Sequence, residues 1–200
     1  MIAIIDYGMG NLRSVQKALE SAGAEARIVT SADDIRRADK LVLPGVGAMK
    51  PAMDRLEELK LTDPIRGFVE SGKPFLGICL GFQLLADSST EGGLVRGLGI
   101  LPGTVERFPD SVKVPQMGWN QLILVRKDIP MYKGVNDGAY VYFCHSYYVK
   151  PRDPSVNATL TDHGVTYSSS VCAGNIWAAQ FHPEKSQSVG LAILRNFAAL

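Results

Sequence analysis

Cys79 is the side chain best placed for nucleophilic chemistry in this sequence. It stands in the middle of residues 77–81, Gly-Ile-Cys-Leu-Gly, directly after the apolar run 74–78. Where a buried strand turns sharply into a helix, the residue at the turn adopts strained backbone angles. The positions two before and two after it must then be small for the turn to close. Glycines fill both positions, so the pattern predicts a nucleophile elbow that presents a cysteine thiol.

A cysteine nucleophile needs a base that accepts its proton and a third group that orients the base. His182 and Glu184 are the candidates, with Pro183 between them. In an extended stretch, residues two apart point the same way, and proline prevents a helix from continuing. Glu184 could then fix the tautomer of His182 and favour its imidazolium form. We therefore hypothesise a Cys79–His182–Glu184 triad, although a polar turn without catalytic role remains an alternative for this tripeptide taken alone.

Acyl transfer also requires two hydrogen-bond donors for the oxyanion of the tetrahedral intermediate. The main-chain amide of Leu80, directly after the nucleophile, is the first expected donor. Residues 44–47, Pro-Gly-Val-Gly, follow the apolar run 41–43. Their glycines would let the backbone approach a ligand closely. We predict that this loop supplies the second donor, the alternative being a simple turn after a strand.

Composition limits the size and class of the protein. With 200 residues, 46% hydrophobic and 20% charged, the chain suffices for one buried core, and we expect a single domain over residues 1–200. A net charge of +1 without a basic run gives no electrostatic footprint for nucleic acid or an anionic membrane. No apolar stretch approaches the roughly 18 residues of a membrane span, so we expect a soluble, cytoplasmic protein. Three cysteines without Cys-x-x-Cys spacing favour free thiols over disulfides or a metal site.

The first half of the sequence alternates short apolar runs with stretches of helical periodicity. The apolar runs predict buried strands at residues 2–5, 26–29, 40–43 and 75–78. Helices are expected from Leu12 up to Gly23, over residues 51–59, and before Gly72. Repeated strand–helix units form parallel sheets whose loops collect at the carboxyl ends of the strands. We therefore predict an α/β fold with a mostly parallel central sheet flanked by helices.

The second half, from Gly99, predicts a smaller antiparallel β portion because β-rich segments are separated by Gly and Pro. His145 falls in a strand at 141–148, where we expect a partly buried histidine with satisfied hydrogen bonds. Cys144 and Cys172 are expected to pack as small buried hydrophobes. The remaining expected elements are strands at 120–126, 139–143, 156–160, 165–169 and 175–181, and a helix over 186–200 with Ser186 as its cap.

Taken together, these motifs resemble the class I (triad) glutamine amidotransferases. The resemblance rests on the elbow, on Gln83, and on residues 181–186, Phe-His-Pro-Glu-Lys-Ser. Within that family the sequence is similar to the glutaminase subunits of imidazole glycerol phosphate synthase from residue 2 to about residue 197. The motifs that carry this closer similarity are Asp-Tyr-Gly-Met-Gly-Asn at 6–11, Pro-Gly-Val-Gly at 44–47, Met-Gly-Trp-Asn at 117–120 and His-Ser-Tyr at 145–147.

The resemblance implies hydrolysis of L-glutamine to glutamate and ammonia through a thioester on Cys79, without a metal or another cofactor. His182 would shuttle protons, and Glu184 would orient His182. The residues that the resemblance assigns to the oxyanion and the substrate are Gly45, Val46, Gly47, Leu80, Gln83, Ser146 and Tyr147.

The resemblance also implies a partner. Ammonia would pass, shielded from water, to a separate (β/α)8-barrel cyclase subunit in a heterodimer. There it would react with a phosphoribulosyl nucleotide to give imidazole glycerol phosphate and an aminoimidazole carboxamide nucleotide in histidine biosynthesis. Asn11, Trp119 and Lys185 would face that cyclase.

Two other functions remain as alternatives. The first is a thiol esterase or peptidase of the α/β-hydrolase type, which shares the elbow. The chain order Cys, His, Glu argues against it, because that fold places the acid before the histidine. The second is a non-catalytic module that keeps the fold and only binds a partner.

Overall fold

The central sheet is built from the apolar runs that the sequence analysis identified. A computed structural model describes residues 1–126 and 128–200. All four residues of the first strand and all five of the strand that ends at Cys79 are buried, as expected for strands covered on both faces. The elements from Ile2 to Gln83 are β1 (Ile2–Ile5), α1 (Leu12–Ser21), β2 (Ala26–Val29), α2 (Ala32–Arg37), β3 (Lys40–Gly45), α3 (Met49–Glu58), α4 (Thr62–Glu70), β4 (Phe75–Cys79) and α5 (Leu80–Gln83).

In its described residues, the second half adds short strands, one long helix and three 3-10 turns. The strands are β5 (Ser88–Ser89), β6 (Val95–Arg96), β7 (Gly103–Arg107), β8 (Gln116–Gln121), β9 (Ile123–Leu124), β10 (Tyr140–His145), β11 (Tyr147–Pro151), β12 (Asn157–Asp162), β13 (Thr166–Ala173) and β14 (Ile176–Ala179). The 3-10 turns span Pro130–Tyr132, Pro154–Val156 and Pro183–Lys185, and the helix is α6 (Gln187–Ala198).

The largest sheet has eight strands in the order β2-β1-β3-β4-β14-β13-β12-β9. The pairings from β2 to β14 are parallel, and those from β14 to β9 are antiparallel. Two smaller sheets, β10-β8 and β11-β7-β5-β6, lie outside it. The predicted α/β class, with a mostly parallel sheet and a smaller antiparallel portion, is confirmed.

Strand register brings three chain segments to one edge of this sheet. Gly45 of β3 pairs with Cys79 of β4, and Ala179 of β14 pairs with Ile78 on the other side. Parallel strands end at the same edge, so the residues that follow Ala179 emerge next to Cys79.

Apolar clusters cover the two faces of the sheet. Helices α3 and α4 contribute Leu56, Ile65 and Phe68 to one cluster. Helices α1 and α6 contribute Leu19 and Phe197 to the other.

Among the described residues, no helix combines the length and apolar character needed to cross a membrane.

Two strand predictions are wrong because the chain changes partners within them. The expected strand 120–126 is divided at the fully buried Leu122: β8 pairs with β10, whereas β9 pairs with β12. The expected strand 141–148 is divided at Ser146: β10 pairs with β8, and β11 pairs with β7. Apolar periodicity records which residues are buried but not which strand they pair with.

One helix start and one helix cap also differ from the prediction. Helix α3 begins at Met49, so Pro51 lies within the first turn, where a missing amide hydrogen has no cost. Ser186 does stand at the N-cap of α6, but its hydroxyl makes no cap hydrogen bond. It donates instead to the carbonyl of His182 at 2.7 Å and accepts from the amide of Tyr142 at 2.9 Å. The serine therefore ties β10 to the His182 turn.

The turn from β4 into α5 packs directly against β3. A β-carbon on Gly81 would collide with the main-chain carbonyl oxygen of Leu43, and one on Gly77 would lie 2.9 Å from the carbonyl oxygen of Gly81. Both partners are backbone atoms that cannot turn away, so only glycine fits at either position.

We expect Gly81→Ala to lower the free energy of unfolding by about 3 kcal/mol, because overpacking against backbone forces β3 and α5 apart. Urea denaturation measures this change. Gly67→Ala in the exposed part of α4, where an added β-carbon meets nothing within 4 Å, is the matched control. It should leave stability unchanged or raise it by up to about 1 kcal/mol. Equal losses in both variants would contradict this account of the elbow.

Candidate active site

Cys79 lies at the turn itself, with φ +54° and ψ −108°, between the end of β4 and the start of α5. A non-glycine residue rarely adopts this conformation, and the tight packing of the turn maintains it. The side chain is buried except for a small exposed fraction of 5%. The strain holds the thiol at the carboxyl edge of the sheet, where a substrate can reach it.

His182 and Glu184 are in direct contact. His182 Nδ1 donates to Glu184 Oε1 at 2.8 Å, and the two side chains are only 3% and 1% exposed. The predicted proximity is therefore correct, but the predicted extended backbone is wrong, since residues Pro183–Lys185 form a 3-10 turn. Because Nδ1 carries its hydrogen toward the carboxylate, Nε2 is the nitrogen left free to act as a base.

Opposing effects set the charge of His182. Burial has the largest effect and by itself lowers the pKa of this imidazole. The interactions of the ring with Cys79 and Glu184 outweigh it and raise the pKa to about 10. The site therefore favours the imidazolium form of His182 next to Cys79 and Glu184.

A cavity of about 280 Å³ opens in front of the thiol. It brings together nine of the residues predicted from the sequence: Val46, Gly47, Cys79, Leu80, Gln83, Ser146, Tyr147, His182 and Lys185. Gly45 lies beside Cys79 in β3, and Glu184 lies behind His182. No group of three or more His, Cys, Asp or Glu side chains suited to a metal occurs in the described part of the chain.

The backbone around the thiol offers candidate donors for an oxyanion. Leu80 is the first residue of α5, so its amide has no partner within the helix. On the other side, Tyr7 holds the segment that precedes Val46, because its hydroxyl donates to the carbonyl of Pro44 at 2.9 Å. Burial raises the pKa of Tyr7, with a smaller contribution from Cys79, so the hydroxyl stays a neutral donor.

Gln83 is fixed in the cavity wall. Its side-chain nitrogen donates to the carbonyl of Tyr147 at 2.9 Å and to Oε1 of Gln180 at 3.1 Å. Both hydrogens of the side-chain nitrogen are thus donated, whereas the side-chain oxygen of Gln83 remains available as an acceptor.

Glu91 is a cavity residue that the sequence analysis missed. It follows the short strand β5, and one of its carboxylate oxygens accepts from the amide of Met49 at 2.8 Å. The local sequence Glu91-Gly-Gly indicates only a turn, so no feature of the sequence singles out this carboxylate.

His145 also borders the cavity, but both of its ring nitrogens have hydrogen-bond partners within the protein. Its Nδ1 lies 2.7 Å from the carbonyl of Tyr147 and its Nε2 lies 3.3 Å from the hydroxyl of Tyr167. Burial is the main cause that lowers its pKa to about 4, which keeps the ring neutral. The prediction of a partly buried histidine with satisfied hydrogen bonds is confirmed.

The prediction that Cys144 and Cys172 are buried is wrong, since both free thiols are half-buried and Cys144 borders the cavity.

An exposed aromatic cluster extends outward from His182. The ring of Tyr142 lies 6.5 Å from that of His182 and 6.2 Å from that of Trp119, and the ammonium of Lys185 lies 5.7 Å from its centre. Trp119 and Met117 are 46% and 65% exposed. Asn11 is exposed at the N-cap of α1. Large exposed apolar side chains grouped in this way are typical of protein interfaces.

We expect NMR titration to show that His182 stays protonated well above its ordinary pKa of 6.5, with a midpoint near 10. Its folded-state pKa is raised, so the imidazolium stabilises the fold fully below pH 6.5 and loses this effect as the pH rises to about 10. Cys79→Ala and Glu184→Gln should each lower the midpoint. His145, with a pKa of about 4, is the internal control and should stay neutral at pH 7. A His182 midpoint near 6.5 would contradict the coupling.

Comparisons with known proteins agree with this geometry. Residues 3–199 match the family model described as glutamine amidotransferase class-I. The chain is 53% identical to the imidazole glycerol phosphate synthase subunit HisH of Syntrophotalea carbinolica, over 98% of both chains. It is 54% identical to the subunit of that name from Aquifex aeolicus, over 97% of this chain and 94% of the relative.

Solved structures share the fold at lower identity. A glutamine amidotransferase aligns over 100% of both chains with a TM-score of 0.78 and 21% identity. PurLQS from Thermotoga maritima aligns over 98% of this chain and 96% of its own, with a TM-score of 0.77 and 22% identity. The elbow, the His–Glu pair, the family match and the close relatives lead to one conclusion: this chain belongs to the class-I glutamine amidotransferases, within the family of imidazole glycerol phosphate synthase HisH subunits.

Proposed function

We propose that the chain, as a single glutamine amidotransferase domain, is the glutaminase subunit of imidazole glycerol phosphate synthase in L-histidine biosynthesis. The observation that carries this proposal is that a strained cysteine and a buried histidine–glutamate pair border one cavity. The HisH names of relatives about 50% identical over nearly the whole chain support the pathway.

The first half of the reaction forms a thioester. The Cys79 sulfur attacks the side-chain carbonyl carbon of glutamine, and His182 holds the proton that the thiol has lost. The amide of Leu80 and an amide of the loop formed by Gly45, Val46 and Gly47 stabilise the oxyanion. His182 then gives its proton to the leaving nitrogen, the C–N bond breaks, and ammonia departs.

The second half regenerates the enzyme. His182, now neutral, removes a proton from water as the water attacks the thioester. The C–S bond breaks, glutamate is released, and the sulfur leaves as a thiolate beside the re-formed imidazolium. Glu184 accepts from Nδ1 of His182 throughout and keeps Nε2 directed at the reacting atoms. No step requires a metal or another cofactor.

The cavity walls supply the groups that a free amino acid needs. The unpaired side-chain oxygen of Gln83 can accept a hydrogen bond from glutamine, and the backbone at Ser146 and Tyr147 lines the same wall. Glu91 offers the carboxylate that an α-ammonium group requires, since one of its oxygens is free of the bond to Met49.

The partner in this proposal is the cyclase subunit, a (β/α)8 barrel. Trp119 and Lys185, which are exposed next to Tyr142, would bind it together with Asn11. Because Tyr142 contacts both this surface and His182, the partner would cover the side of the site from which ammonia leaves. The cyclase would consume the ammonia, yielding imidazole glycerol phosphate and aminoimidazole carboxamide ribonucleotide.

We expect ammonia release from glutamine to depend on the cyclase subunit and its nucleotide ligand, and to fall by at least about 1,000-fold in Cys79→Ala, which removes the nucleophile. A coupled assay of glutamate and ammonia, with co-purification of the barrel subunit, measures both effects. Cys172→Ala is the matched control and should retain activity. Persistent release in Cys79→Ala, or none from the wild type with partner and ligand present, would refute the proposal.

We expect Glu91→Gln to raise the KM for glutamine by about 10-fold to 100-fold with a smaller change in kcat. The variant keeps an acceptor for Met49 but removes the charge that pairs with the α-ammonium group. Steady-state kinetics with the complex measures the two constants separately. A reduced kcat at unchanged KM would assign Glu91 a different role.

A further inference from the structure

Gln180 is a fully buried polar residue that the mechanism above does not use. It lies between β14 and His182 and has 0% exposure. Its main-chain amide donates to the carbonyl of Ser169 at 2.9 Å. Its side-chain nitrogen lies 3.7 Å from Sγ of Cys79, within hydrogen-bond distance for sulfur. Gln180 thus contacts the nucleophile from inside the protein.

The orientation of the Gln180 amide follows from its neighbours. The carbonyl of Tyr147 can only accept, so the end of the Gln83 side chain that faces it must be the nitrogen. That nitrogen also faces Gln180 at 3.1 Å, so the atom of Gln180 at this contact must be the oxygen. The nitrogen of Gln180 is therefore directed at the sulfur. The carbonyl of Tyr147 thus determines the orientation of the Gln83 side-chain amide, which in turn determines that of Gln180. The last donor in this series is the side-chain nitrogen of Gln180, which faces the sulfur of Cys79.

We propose that Gln180 is a positioning residue for the nucleophile. This proposal rests on the glutaminase function proposed above. Its N–H donates to the sulfur when the sulfur is negatively charged, before attack and again as thiolate leaves the thioester. Unlike His182, an amide neither accepts nor releases the proton, so it stabilises the charge without competing for the proton. The same amide accepts from Gln83, which connects the nucleophile to the substrate-binding wall.

The two ends of the Gln180 amide have separable effects on kinetics. The oxygen supports Gln83 and hence substrate binding, whereas the nitrogen acts on the sulfur and hence on the chemical steps. Gln180→Glu retains an acceptor for Gln83 and replaces the donor with a carboxylate oxygen that faces the thiolate. Gln180→Leu removes both ends at similar size.

The test is steady-state glutaminase kinetics of the complex with the cyclase. Gln180→Glu should lower kcat by about 100-fold while KM stays within about threefold. Gln180→Leu should lower kcat by about 10-fold to 100-fold and also raise KM, because Gln83 loses its acceptor. Gln83→Leu should raise KM with the smaller effect on kcat. A Gln180→Glu variant with kcat within threefold of wild type would overturn the proposal, as would a change in KM alone.

Asn175→Leu is the matched control. Asn175 precedes the same strand at its opposite end, and its side-chain amide donates to the carbonyls of Val69 and Lys73 at 2.9 and 2.8 Å. This variant should lose thermal stability while kcat and KM remain within about twofold. If it lowered kcat as much as Gln180→Leu does, the effect of Gln180 would be structural and the proposal would fall.

The outcomes separate this inference from the proposed function. Wild-type ammonia release that disappears in Cys79→Ala supports the function independently of Gln180. With that activity present, full kcat in Gln180→Glu overturns only the inference. If circular dichroism shows that Gln180→Glu is unfolded, Gln180→Leu decides, and wild-type kcat in that variant overturns the inference. Absence of wild-type glutaminase activity overturns both.

Discussion

The parallel pairing of β4 with β3 on one side and with β14 on the other is the constraint on which the site depends. Parallel strands end at one edge of the sheet, so Gly45, Cys79 and the residues after Ala179 must converge there. The register sets which residues meet, and the close packing of Gly81 on Leu43 sets how sharply the chain turns. A shift of β4 by one residue would direct its side chains, including the thiol, to the opposite face.

Convergence alone would leave three buried polar groups at a high energetic cost. Burial lowers the pKa of His182, and the interactions of its ring with Cys79 and Glu184 reverse this effect. His182 is thus stable in its charged form because Cys79 and Glu184 are present. His145 has no such carboxylate partner, and burial keeps its ring neutral. Two histidines near one cavity therefore differ in charge because their hydrogen-bond partners differ.

The two smaller sheets form part of the cavity wall and hold the turn that carries His182. The break at Ser146 between β10 and β11 places Ser146 and Tyr147 in the cavity wall, and the carbonyl of Tyr147 orients Gln83. Ser186 ties β10 to the turn that holds His182. Through these contacts the exposed aromatic cluster around Tyr142 is continuous with His182, so a protein bound to this cluster would lie next to the cavity.

The sequence by itself determined the elements whose cause is local. Glycine spacing around Cys79 specified the elbow, short apolar runs specified the parallel strands, and the Pro183 spacer placed His182 next to Glu184. Tertiary structure decided what depends on neighbours far along the chain. The breaks at Leu122 and Ser146, the entry of Glu91 into the cavity, and the contact of Gln180 with the sulfur all arise from pairings between distant segments. Side-chain periodicity records burial one residue at a time, whereas a strand's partner and an amide's orientation depend on which segments meet in space.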